Sequence, residues 1–153
     1  MSFDLFSDVY VKNPDTPTQL AGCSVLLIYR DSKINRSNAR TFKYGLGGNG
    51  LETASLISMR LALSSIKPSF RKSHVNLYIN SEMWPHYAAA GDIASKTKWH
   101  KQCADSLFRW ISYYENLKIM ADEKCEHADI LRELSKSGCE SQTTGDSGTV
   151  HWG

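Results

Sequence analysis

Several signals that would settle a function class at once are missing from this sequence. Its four cysteines, Cys23, Cys103, Cys125 and Cys139, include no Cys-x-x-C pair. Cys125, His127 and Cys139 have no recognised zinc-finger spacing, which argues against a structural zinc site. The opening MSFDLFSDVYV has neither the charged start nor the apolar run of a signal peptide, so reduced thiols and a cytoplasmic location are expected. No apolar run approaches the roughly 18 residues of a membrane span, and a soluble protein is expected. Charge of one sign is also scarce: 18 Lys and Arg face 16 Asp and Glu, a net +2. A field that weak makes no case for a nucleic-acid partner by itself, so any such partner must be argued from a site.

What is present is enough for one globular domain: 153 residues, 41% hydrophobic and 22% charged. Phe3 to Val11 alternates, with Phe3, Leu5, Val9 and Val11 on one face and Asp4, Phe6, Asp8 and Tyr10 on the other. NPDTPTQ is turn chemistry, and AGCSVLLIYR, residues 21 to 30, reads as a nearly continuous buried strand. After the turn DSKINRSN, residues 40 to 46 alternate again, completing an antiparallel meander of three strands. The period then changes. From Leu51 to Ile66 apolar residues recur at helical spacing until Lys67-Pro68 stops them.

His74 to Ile79 is a fourth strand, and Ser81 is placed to cap a short helix that tolerates Pro85 in its first turn. A longer helix is expected from about His100 to Asn116, with Cys103, Leu107, Trp110, Ile111 and Tyr114 as its buried stripe. Leu117 to Met120 makes a short fifth strand. Ala128, Leu131 and Leu134 mark a last helix ending at Gly138, after which residues 139–153 read as a polar, disordered tail on a domain of residues 1–138. The expected order is β-β-β-α-β-α-α-β-α, an α/β fold with a five-stranded mixed sheet and helices on its faces.

Motifs fall at defined points of that order. LFSD puts Asp8 on the first strand, and Asn13-Pro14 follows it. NGLE supplies Asn49 and Glu52 at the start of the first helix. LYINSE ends the fourth strand with Asn80, and HADILREL opens the last helix with Asp129. Elements and motifs together resemble the type 1 ribonuclease H family over about residues 4 to 137, and the resemblance implies the ribonuclease H-like fold. It further implies a metal-dependent endonuclease that hydrolyses the RNA strand of RNA/DNA hybrids, with two ions of Mg²⁺ (or Mn²⁺) about 4 Å apart held by four acids. Asp8 would bridge the ions, Glu52 and Asp129 would serve the leaving-group side, and position 80 would hold the ion that activates water.

The departure is Asn80, which stands where the resemblance places an acid. Its carbonyl oxygen remains a possible ligand, but one charge opposite two dications is lost, worth ~4 kcal/mol at 4 Å and an effective dielectric of 20. Asp to Asn is nearly isosteric, so the change, natural or engineered, removes charge without shape. Glu82, two residues on, is an auxiliary candidate for the missing acid, and His127 is the nearest imidazole to Asp129. Lys98 and Trp99 in SKTKWHK suit phosphate contact with a stacking ring. Asn13, Asn49 and Ser81 match positions that in the family touch the nucleic-acid backbone.

Each acid also has a plain reading: Asp8 as a strand charge, Glu52 and Asp129 as favourable anions at helix starts. Placed together on the right elements, they read as a site. The resemblance implies one of two functions, a metal-dependent nuclease that Asn80 can impair or a non-catalytic nucleic-acid-binding or protein-assembly module that keeps the fold. Hybrid, duplex RNA and branched DNA all stay open as substrates.

Overall fold

The computed structural model describes residues 2–12, 19–29, 36–44, 50–91, 98–122 and 127–141. Three strands come first, β1 (Ser2–Lys12), β2 (Gln19–Tyr29) and β3 (Arg36–Tyr44), joined antiparallel in sequence order. Helix α1 (Gly50–Ser64) then leads through a 3₁₀ turn at Pro68–Phe70 into β4 (His74–Asn80), which pairs parallel to β1. Helices α2 (Trp84–Ala88) and α3 (Lys98–Ser112) precede β5 (Asn116–Asp122), which is parallel to β4, and α4 (Ala128–Ser141) follows. The result is a five-stranded mixed sheet in the order β3-β2-β1-β4-β5, the α/β architecture expected from the sequence.

The central strand has covered faces because its neighbours divide its alternation between two helices. Phe3, Leu5, Ser7 and Val9 face α1, where Ser7 Oγ meets Ser58 Oγ at 2.6 Å and Ser58 Oγ donates to the Asp8 carbonyl at 2.9 Å. Phe6, Asp8 and Tyr10 face α4 on the opposite side, and the Lys136 ammonium sits 5.7 Å from the Tyr10 ring. Residues 53–59 of α1 are buried without a break, because the helix is sandwiched between the sheet and α3. Another of its hydroxyls bonds locally, Ser55 Oγ donating to the Leu51 carbonyl at 2.6 Å.

Several boundaries differ from the sequence reading. Strand β5 runs two residues past Met120, because in-register pairing with β4 carries it to Asp122 opposite Asn80. Ser81 does not cap α2, whose N-cap is Met83 with no side-chain hydrogen bond, and Pro85 falls in the first turn, where its missing N–H costs nothing. Helix α3 starts at Lys98, two residues early, and ends at Ser112. Gly138 lies inside α4 rather than at its end; a mid-helix glycine costs only about 1 kcal/mol and does not by itself stop a helix. The tail beyond Ser141 lies outside the described residues. No helix among the described residues is long and apolar enough to cross a membrane.

Candidate active site at the strand ends

The sheet topology brings three polar side chains to one end of the central strands. Asp8 lies one residue past the last β1–β4 pair, Ser7 opposite Ile79, and Asn80 ends β4 directly opposite Asp122 at the end of β5. Residues opposite each other in a sheet share a face, so Asp8, Asn80 and Asp122 all open toward α4. They line one depression together with Phe6, Tyr78, Ala128 and Leu131. The Phe6 and Tyr78 rings stack at 4.9 Å to form its floor, and His127 meets Phe6 edge-on at 5.2 Å.

Helix α4 closes the depression because its backbone is tied to β2. Ser24, the partner of Asp8 across β1 and β2, donates through Oγ to the Leu131 carbonyl at 2.8 Å and meets Ser135 Oγ at 2.7 Å. These bonds hold the next residue, Arg132, over Asp8. Its Nε is 3.2 Å from Asp8 Oδ2, and its Nη2 is 3.6 Å from Glu82 Oε2. The Asp8 side chain is only 5% exposed, while Arg132 is 35% and Glu82 64% exposed.

The Asn80 amide has a defined job in this arrangement. Nδ2 donates to Asp8 Oδ1 at 3.1 Å, and Oδ1 accepts the Glu82 backbone N–H at 2.9 Å. The partners fix the orientation: reversing the amide would set oxygen against carboxylate and NH₂ against N–H. Both ends of Asn80 are thus used within the chain, one to hold Asp8 and one to start the turn into α2. Burial pushes the Asp8 carboxyl above its usual range, and Arg132, the Val9 N–H and Asn80 pull it back only in part, with Glu82 pushing the same way as burial.

The other expected residues are distributed as follows. Glu52 is half-buried on the first turn of α1 and Asp129 is exposed on the first turn of α4; neither lines the depression. Ser81 is exposed beside it. Lys98 is exposed on the first turn of α3, but the histidine of the same segment, His100, is buried, with Nδ1 3.1 Å from Thr53 Oγ1. Asn13, Asn49 and the Trp99 ring lie outside the described residues. Asp122 and Arg132 were not singled out from the sequence. The signal for Arg132 was its place one helical turn after Asp129, and the signal for Asp122 was the pairing of β5 with β4, which sequence periodicity does not contain.

The donor set can be tested against the two ions that the resemblance implied. Among the described residues, no group of three or more His, Cys, Asp or Glu side chains stands close enough to hold a metal ion. The oxygen of Asn80 is turned to the Glu82 N–H, and its NH₂ faces Asp8, so position 80 offers no ligand toward Asp8. Asp8 itself has two oxygens with about four lone-pair positions. Three donors already engage it, Arg132, Asn80 and the Val9 N–H. The arrangement does not fit two ions.

A meander of three antiparallel strands extended by two parallel ones, with α1 on one face and α4 on the other, is the ribonuclease H fold. Comparison with solved structures bears this out. The chain superposes with a TM-score of 0.69 on RNase H1 from the halophilic archaeon Halobacterium salinarum, at 10% identity, covering 93% of this chain and 100% of that one. It superposes at 0.73 on LC9-RNase H1, a type 1 RNase H with the type 2 active-site motif, at 13% identity, covering 99% and 77%. A foamy viral protease-reverse transcriptase in complex with RNA/DNA hybrid gives 0.62 at 12% identity, covering 92% of this chain and 20% of that one. No family model and no curated protein matches the sequence. At these identities the likeness defines the fold.

Proposed function

We propose that this chain is a ribonuclease H-like phosphodiesterase whose substrate is the RNA strand of an RNA/DNA hybrid and whose cofactor is a divalent ion, Mg²⁺ or Mn²⁺. The observation that carries this reading is the burial of Asp8 at the end of the central strand. A carboxylate kept in a depression at the cost of desolvation, with a specific charge partner beside it, is a functional-site candidate. Asp8 is the acid of the depression that the proposal assigns to the ion; Glu52 and Asp129, which do not line it, are assigned only through the resemblance. Bound there, it would supply Lewis-acid charge opposite the phosphate.

The chain's own groups do the rest. Asn80 fixes the Asp8 carboxylate through Nδ2, and the serine ties of β2 to α4 set Arg132 at the rim, where a guanidinium suits phosphate oxygens. Lys98 and Trp99 are proposed to hold the backbone and stack on a base, with Asn13, Asn49 and Ser81 as further backbone contacts. The RNA/DNA hybrid in the foamy viral complex supports hybrid as the first substrate to try.

A second reading has its own observation. Asn80 and Arg132 together satisfy Asp8 without any metal, which suits a nucleic-acid-binding or assembly module that no longer cleaves. Hybrid labelled on the RNA strand separates the two readings, with binding followed by fluorescence anisotropy and cleavage by gel, in Mg²⁺ and in Mn²⁺. Cleavage lost in Asp8→Asn supports the nuclease; binding without cleavage under every condition supports the module.

A further inference from the structure

We infer that the chain carries a second nucleic-acid contact, a phosphate-binding patch built from Arg71, Lys72, His74 and Lys118 at the opposite end of β4 from the Asp8 depression. Its occupant is the sugar-phosphate backbone of the hybrid; the inference rests on the nucleic-acid substrate proposed above and on no ion. The segment KPSFRKSH, Lys67 to His74, holds three permanent cations and a histidine but no acid. Over the whole chain cations exceed acids by only two. A run of one sign in a chain so nearly balanced concentrates its field where β4 begins.

Folding gathers this segment with β5. The Glu115 N–H donates to the Arg71 carbonyl at 3.3 Å, and Asn116 Nδ2 donates to the Lys72 carbonyl at 3.1 Å. Pairing of β4 with β5 sets His74 opposite Asn116 and Asn76 opposite Lys118. Ser2, His74, Asn76, Asn116 and Lys118 line one cleft, and Lys72, His74 and Lys118 are exposed. Two carboxylates adjoin it: Asp4 accepts from Asn76 Nδ2 at 3.1 Å, and Glu115 is exposed to water. Lys67, Arg71, Lys72 and Lys118 outnumber them, so the surface is positive.

Arg71 is held in a way that suits phosphate. Its guanidinium carbon lies 4.9 Å from the centre of the Trp110 ring and 5.2 Å from that of Tyr113, and the two rings meet edge to face at 5.5 Å. Stacking engages the face of a guanidinium and leaves its in-plane N–H groups for an anion. Nε is buried without a hydrogen-bond partner among the described residues, which makes the terminal Nη groups the ones to meet a phosphate. Tyr113 is 45% exposed, so this platform opens to solvent. Tyr114, next in the chain, is buried, and its hydroxyl donates to the Leu63 carbonyl, which fixes the turn after α3. Strand β4 has seven residues, so at ~3.3 Å per residue the patch and the depression lie roughly 20 Å apart, about six base pairs of duplex. His74 and Asn76 share the sheet face of Tyr78 and Asn80, and one hybrid lying along β4 reaches both ends.

Fluorescence anisotropy of the full-length protein with a labelled hybrid of about 18 base pairs tests this, in EDTA and over a series of salt concentrations. Each phosphate contact on a duplex contributes about −0.9 to the slope of log affinity against log salt. Lys72→Gln combined with Lys118→Gln changes only exposed side chains and should keep the fold. It should lower the magnitude of the slope by about 2 and weaken binding at low salt by about tenfold or more, and adding Arg71→Gln should take away about one more. Lys136→Gln, at an exposed lysine of α4, controls for net charge and should leave the slope at the wild-type value. A folded double variant with the wild-type slope and affinity overturns the patch while the nuclease reading stands. So does a Lys136→Gln loss as large as that of Lys72→Gln alone, which would mean a diffuse effect of charge. A wild type that binds no hybrid overturns both.

Discussion

Replacing Asn80 by Asp in metal-free protein should destabilise the fold, although the two side chains have nearly the same shape. The amide donates to Asp8 Oδ1 at 3.1 Å, and a hydrogen bond to a charged group contributes about 1.5–3 kcal/mol. The variant loses that bond and sets two carboxylates against each other, a repulsion of ~4 kcal/mol at 4 Å and an effective dielectric of 20. Arg132, 3.2 Å from Asp8, offsets part of this by attracting the new charge. A net loss of about 3 kcal/mol is expected at pH 7, a fall of roughly 10 °C in Tm for a domain of this size. The sign with pH follows from linkage: the pair holds a proton more tightly folded than unfolded, so the loss is present at neutral pH and vanishes as pH drops below the ordinary carboxylate range. Millimolar Mn²⁺ should restore Tm at pH 7. Differential scanning fluorimetry at pH 7 and pH 4, with EDTA or Mn²⁺, measures all of this. An unchanged Tm at pH 7 in EDTA would refute the assignment of Asn80 as the donor that holds Asp8.

Three further outcomes follow from the same geometry. The Asp8 carboxyl carbon should titrate above the usual aspartate range by NMR, because burial outweighs Arg132; stability tied to Asp8 is therefore full at low pH and lost as pH rises through its folded pKa, and a value below that range would contradict the burial argument. Ser58→Ala should cost about 2 kcal/mol in urea unfolding, since it strips a partner from both the Ser7 hydroxyl and the Asp8 carbonyl, and a cost near zero would show that the β1–α1 seam does not hold Asp8 in place. Burial pushes the Cys103 thiol up to about 11, so at pH 8 it should alkylate at roughly a hundredth of the rate of an ordinary thiol, as peptide mass spectrometry can read.

Much of the fold was visible in the sequence because its strands carry their burial in their alternation. Phe3, Leu5 and Val9 announce β1 in the way that Val75, Leu77 and Ile79 announce β4, and all six are buried. Strand β3 begins four residues earlier than its alternation, at Arg36, because its backbone pairing with β2 continues to Leu27 opposite Arg36 whatever side chains it carries. Of the site, Asp8 and Asn80 were legible through strand ends and motif spacing, and the structure joins them by a hydrogen bond. Arg132 was not, because its role depends on how far α4 is drawn over β2 by Ser24, a contact between residues 107 positions apart. Asp122 was hidden for a similar reason, since its place beside Asn80 is set by the register of two strands separated by two helices.

The most direct test of the account is hydrolysis of an RNA/DNA hybrid by the wild type and by Asn80→Asp, in Mn²⁺ and with the RNA strand labelled. Restoring a carboxylate at the end of β4 should tighten the ion at Asp8 and raise cleavage of the RNA strand by at least tenfold, each 1.36 kcal/mol being tenfold in rate. An Asn80→Asp protein that is folded, binds Mn²⁺ no more tightly than the wild type, and cuts neither hybrid, duplex RNA nor branched DNA would contradict the reading of this depression as a nuclease site.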